Sequence, residues 1–364
     1  MSNLTAQIAD KRSPTACARL KAKPLQMIPA TLATIATIAT LTRAAHQIAH
    51  LEAMGNLWLQ WTFDPILLMG LALILGAYLY AIGPGRRRWR PAEQVSRAQI
   101  TYFIVGWVTL ALSLISPLDT LGDEYLFSAH MIQHMLIAVV APPLLLLGIP
   151  RWLAEIPLRN QGVRTVMRWL AHPIVAFGVF QADIWLWHAP TLYDLTLTND
   201  TVHIVEHLTF LVFGILYWLP VLSPTPLIPR ISRGFAVLYL FVGCQPMVAL
   251  GALITFASTP LYTPYVSAPR VWGLSPLGDQ QLGGLIMWLP TNIPYLIGLS
   301  AAFFLWIRDQ DHAERKAAGE FEQDAEEIDI GADNGAMPWI AAQSAQAAQA
   351  ASDTATGASG SIAP

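Results

Sequence analysis

Long apolar runs separated by short polar connections set the pattern of this chain. Seven runs, at about 66–82, 100–116, 125–147, 173–190, 201–221, 233–257 and 282–307, are long enough to cross roughly 30 Å of hydrocarbon as helices. Backbone N–H and C=O groups cannot stay unpaired in lipid, so runs of this kind predict helices rather than open strands. The alternation expected of a barrel strand is absent. An eighth run, Thr- and Ala-rich, at 25–41, follows Lys11, Arg12, Arg19, Lys21 and Lys23 and precedes Arg43-Ala44-Ala45. That order matches a secretory signal peptide with an extended basic leader, or an uncleaved signal anchor. The pattern predicts an all-α, polytopic, seven-helix membrane bundle in three parts. These are a signal segment over 1–45, the helical domain over 46–308, and a tail over 309–364.

Basic residues give the bundle a direction. The connections after the first, third, fifth and seventh runs hold 14 Lys and Arg, from Arg86 to Lys316. The opposite connections hold Arg270 alone. The positive-inside rule then places the start of the helical domain outside the cell and the C-terminus in the cytoplasm. Composition agrees: the chain is 54% hydrophobic and 12% charged, about half the charge of an ordinary soluble domain. A basic nucleic-acid binder is excluded by the same numbers. Residues 309–333 concentrate 10 acids, so the acidic stretch can prolong the last helix, and 334–364, rich in Ala, Gln, Ser and Gly, has no apolar face to bury. Two cysteines, Cys17 and Cys244, form no CxxC pair and cannot supply a dithiol site or a disulfide framework.

The histidines are sorted by side. His130, His134, His188, His203 and His207 all fall in the outer parts of their runs, and His46 and His50 precede the first run; only His172 and His312 are cytoplasmic. His130 and His134 are four apart, as are His203 and His207, so each pair shares one helix face. Two such pairs at similar depth, with His188 at the rim, can surround one or two metal ions. Imidazole suits copper and zinc, and a carboxylate-poor set does not suit calcium or magnesium. The plain alternative is that these rings only line helix contacts. Glu206, on the flank of its pair, is read as orienting an imidazole or as a packing hydrogen bond, and Asp183 as packing. Asp64 and Asp279 are read as caps of the outer helix starts they precede. Met131, Met135, Met287 and Cys244-x-x-Met247 are weaker candidates for soft ligands. Pro142, Pro143, Pro246, Pro290 and Pro294 predict kinks.

Three blocks carry a family resemblance. They are His130-Met-Ile-Gln-His134 through Pro142-Pro143 to Gly148-Ile-Pro150; Trp187-His188-Ala-Pro190-Thr-Leu-Tyr193-Asp194 with His203, His207-Leu-Thr-Phe210 and Tyr217-Trp218; and Pro260-Leu-Tyr262-Thr-Pro-Tyr265 with Asp279-Gln280-Gln281 through Met287-Trp288-Leu-Pro290. Over about 65–308 the chain resembles the CtaG-type cytochrome c oxidase assembly factors. The resemblance implies a role in maturing a haem-copper oxidase in a bacterial cytoplasmic membrane by assisting copper insertion. Its implied partners are the oxidase catalytic subunit and a periplasmic copper donor. Its recurrent histidines map onto His130, His134, His188, His203 and His207, and Thr291 stands where the family pattern has glycine.

Two other readings stay open at this stage. His203-Ile-Val-Glu206-His207 matches the H-x-x-E-H pattern of inverted zinc proteases. Histidine pairs on facing helices also ligate haem in membrane cytochromes. A retinal-type Schiff base is excluded, since Lys is missing from every run.

Overall fold

The structure is a computed structural model that describes residues 57–86, 94–333 and 348–349. The chain divides into two compact units, Met1–Gln60 and Trp61–Pro364. Only 57–60 of the first are described, so the 25–41 run, His46 and His50 lie outside the described residues. The second unit is all-helical among the described residues. Its helices are α1 (Pro65–Gly85), α2 (Arg97–Ile115), α3 (Pro117–Glu124), α4 (Phe127–Gly148), α5 (Arg151–Leu158), α6 (Gln161–Leu170) and α7 (Pro173–Trp187). They continue as α8 (Pro190–Thr196), α9 (Asp200–Leu222), α10 (Arg233–Thr255), α11 (Thr263–Ser267), α12 (Pro276–Trp288) and α13 (Asn292–Asp333).

Among the described residues six segments are long and apolar enough to cross a membrane: α1, α2, α4, α9, α10 and α12 with α13. The run expected to cross at 173–190 is shorter as a helix. At 15 residues α7 reaches about 22 Å, and it continues α6 only through a 68° bend. Proline explains both limits: Pro173 opens the helix at N1 and Pro190 opens α8 just beyond it. The last run is also divided, with α12 ending at Trp288 before Pro290 and α13 prolonged through the acidic stretch to Asp333.

Helix starts are fixed by side-chain caps, of which Asp64 is expected from the sequence. Asp64 accepts from Leu67 N, and Ser96 and Gln99 form a reciprocal capping box at α2. Asp279 departs from expectation. Ser275 caps α12, while Asp279, one turn inside it, accepts from Phe127 N at 2.7 Å and from Ser128 N and Oγ at the start of α4. A carboxylate thus seals the first turn of a helix 150 residues away in sequence, where free N–H groups and the helix dipole favour negative charge.

α4 is the central helix: 67% of its span is buried, against 17% for α1. It packs against α2, α3, α9 and α12. Residues 136–140 widen into a π turn, with Ala141 N bonded to Leu136 O. Pro142 and Pro143 lack N–H groups and clash with carbonyls one turn back, so the extra residue absorbs what an α turn cannot. Gly214 of α9 fits against this turn, where a Cβ would overlap the Ala138 carbonyl. The outer faces stay apolar, with Ile66, Leu73, Ile204, Leu208, Leu238, Phe241 and Phe304 exposed. A water-soluble protein does not present such a surface. The molecule is a multi-pass membrane protein.

Candidate metal centre

α4 and α9 begin at the same end of the bundle and bring their i, i+4 pairs together. His130 and His134 lie within the first two turns of α4, and His203 and His207 at the matching depth of α9. Ring centroids are 4.1 Å apart for His130–His134, 4.2 Å for His203–His207, 5.3 Å for both His130–His203 and His134–His207. His188, at the C-cap of α7, approaches His134 at 5.9 Å. The five expected residues therefore form one cluster, and His130, His134 and His188 are buried.

Glu206 belongs to the same group. It is fully buried, and its Oε1 lies 3.8 Å from His134 Nε2. Ligand atoms of His130, His203, Glu206 and His207 all lie within 4.8 Å of one another. Ligands about 2.0–2.1 Å from a tetrahedral ion stand roughly 3.4 Å apart. The set would have to draw inward by about 1 Å to close around one ion. Neither Glu206 oxygen is hydrogen-bonded among the described residues. The nearby Thr196 hydroxyl donates to Tyr193 O instead.

The nitrogens of the rings are sorted by role. His188 Nδ1 lies 2.7 Å from the Ile184 carbonyl, which only accepts, so Nδ1 carries the proton. Tyr265 donates its hydroxyl proton to Gly122 O at 2.5 Å and so accepts from His130 Nδ1 at 3.2 Å. Burial holds the Tyr265 phenol above its ordinary range, which keeps that proton in place. Asp123 bridges two rings, with Oδ1 3.4 Å from His130 Nδ1 and Oδ2 3.6 Å from His203 Nδ1. In all five histidines Nε2 is buried and has no hydrogen-bond partner among the described residues, and in His134 Nδ1 is equally bare. Buried polar atoms of this kind are rarely left alone. His130 and His188 combine an Nδ1 held by a neighbour with a bare Nε2, the arrangement that hydrogen-bonding partners give to metal-binding imidazoles.

Asp123 and Gly122 were not foreseen from the sequence, and Tyr265 figures there only within the third block, without a role at the site. They sit on α3 and α11, short helices with no long apolar period, and only the fold carries them onto α4. Beneath Asp123, Asp119 accepts from Thr62 and Gln133, both at 2.7 Å. Burial, reinforced by Asp123, pushes the Asp119 carboxyl up to about 6. Burial also pushes Asp123 up to about 6, against the opposing pull of His203.

The remaining candidates lie elsewhere. Asp183 accepts from Trp187 Nε1 at 2.9 Å, a packing contact. Met131 packs against Gly283 of α12, and Met135 Sδ accepts from Thr291 at 2.6 Å, so the residue that replaces glycine makes a buried contact of its own. Cys244 Sγ donates to Phe241 O. His172 is the exposed N-cap residue of α7, and His312 is exposed on α13.

The family model described as cytochrome c oxidase caa3 assembly factor (Caa3_CtaG) matches residues 76–309, which contain every residue of the cluster. Uncharacterized proteins of Mycobacterium bovis and Mycobacterium tuberculosis are each 30% identical over 264 residues, 68% of this chain and 39% of theirs. One of Mycobacterium leprae is 30% identical over 275 residues, covering 69% and 40%. The chain thus spans about two fifths of the length of these curated relatives. No solved structure matches it. With the matched region running from α1 into α13, the chain belongs to the cytochrome c oxidase caa3 assembly factor family.

Proposed function

We propose that this protein assists copper insertion into the catalytic subunit of a haem-copper oxidase, holding the ion as cargo on its histidine cluster. Family membership supports the assembly role. The observation that carries the copper step is the convergence of ligand atoms of His130, His203, Glu206 and His207 within 4.8 Å, in a cluster whose Nε2 atoms are buried without a hydrogen bond among the described residues. Burying such groups is costly unless something binds them. Imidazoles with one carboxylate and no thiolate suit copper, with zinc second, and His130, His203, Glu206 and His207 would form the first ligand set. His134 and His188 stand behind it and would receive the ion during exchange.

The same reading gives the topology. Counting α6 with α7 as the bent fourth crossing yields seven spans. The basic connections put the C-terminus in the cytoplasm and the starts of α4 and α9, with their histidines, at the outer side of a bacterial cytoplasmic membrane. Copper then arrives from a periplasmic donor and leaves laterally to the oxidase. The zinc-protease reading has less support, because Glu206, the base it requires, is wholly buried. A haem would need an open slot, whereas His134 meets three other imidazoles and Phe210 at 4.1–5.9 Å.

The test is the copper content of the oxidase purified from a deletion strain. Oxidase polypeptide present but copper-poor, and repaired by the wild-type chain but not by Glu206→Gln, is the expected result. Normal oxidase copper in the deletion strain overturns the proposal.

A further inference from the structure

A second site lies toward the opposite ends of α4 and α9. A groove of about 1230 Å³ runs between these helices, α10 and α13, larger than the roughly 300–1,000 Å³ of an ordinary small-molecule site. Its walls are apolar, with Val140, Leu144 and Leu147 facing Ile297, Ala301 and Leu305. Its mouth carries Arg230, Arg233, Asp309 and the first turn of α10, one positive charge in excess. Arg233 is already engaged by Asp309 at 2.8 Å and the Leu305 carbonyl. Arg230 is not. Its Nε donates to Ser223 O at 2.7 Å, and its two terminal nitrogens have no partner among the described residues.

We propose that this groove holds an anionic phospholipid, with acyl chains along α4 and α13 and the phosphate on Arg230. Charge complementarity selects this occupant: an amphipath with an apolar body and one anionic end is the inverse of the groove. Basic pockets between membrane helices on the cytoplasmic side recognise such headgroups. The positive end of the α10 dipole at Ser232–Gly234 acts in the same direction. This inference does not depend on copper.

The experiment uses the full chain purified in neutral detergent. Bound lipid is identified by mass spectrometry, and unfolding midpoints are compared with added phosphatidylglycerol or phosphatidylcholine. Wild type should retain phosphatidylglycerol preferentially and be stabilised by it. Arg230→Gln should bind it about fivefold more weakly, the weight of one arginine at an anionic lipid headgroup, read as the lipid-induced shift from the variant's own midpoint in detergent alone, because the bond to Ser223 O is lost as well. Ala301→Trp, which fills the groove, should lose both lipids. Equal retention of the two lipids by wild type, or unaltered retention in both variants, overturns the proposal. So does a disulfide between Ala301→Cys and Ile35→Cys, which would put the chain's own segment in the groove.

Discussion

Gly122 offers a way to disturb the cluster without touching a ligand. A methyl group at this position would lie 2.9 Å from His130 Cα, 3.1 Å from His130 N and 3.2 Å from His130 Cβ. Ordinary contact begins near 3.4 Å, so α3 and α4 must separate by about 0.5 Å at His130, and none of those three atoms can rotate away. The same shift strains the Tyr265 bond to Gly122 O and hence the hold on His130 Nδ1. Overpacking of this kind costs about 1–3 kcal/mol of stability. Metal–ligand distances tolerate only about 0.2 Å, and loss of an anchoring hydrogen bond weakens metal sites roughly 10- to 100-fold. Gly122→Ala should therefore lower copper affinity by about tenfold or more, read by competition with a chromophoric chelator on detergent-purified protein. Gly178→Ala is the control, because its methyl meets nothing within 4 Å. Copper affinity equal to wild type in Gly122→Ala would refute the claim that α3 positions His130.

Three further outcomes follow from other contacts. Asp123→Asn should weaken copper binding about 10- to 100-fold in the same titration, since the carboxylate faces both His130 and His203. Asp279→Ala should destabilise the bundle by about 3 kcal/mol in denaturant unfolding, because three donors at the start of α4 lose their acceptor together. Asp119, with its folded pKa raised from 3.8 to about 6, binds its proton more tightly in the folded state. Wild-type stability should fall as pH rises from about 4 to about 6, relative to Asp119→Asn, which carries no such proton. Parallel pH profiles of the two proteins would contradict the raised carboxyl.

The legible part of the molecule was whatever repeats along a helix. Hydrophobic runs located the spans to within a few residues, apart from 173–190 and 282–307, where prolines divided or shortened the helix. Spacings of four placed His130 with His134 and His203 with His207, and their shared depth anticipated the cluster. Glu206 was harder, because its angular offset on an isolated helix suggested a flanking role; the crossing of α4 over α9 turns that flank inward. Asp123, Tyr265 and Asp279 act across 7 to 152 residues of sequence. Such partnerships depend on how short helices fold back over α4, and no local periodicity encodes them. The π turn at 136–140 is intermediate: Pro142 and Pro143 announce a distortion, but its form depends on Gly214 of the neighbouring helix.

The central claim is that the histidine cluster binds copper. Elemental analysis of the full chain, purified in detergent and exposed to copper and then to a weak chelator, tests it directly. The account predicts about one tightly held copper per chain in wild type and almost none in the His130→Ala, His207→Ala double variant, with helical content unchanged. Wild-type protein that retains no copper, or a double variant that retains as much as wild type, would contradict it.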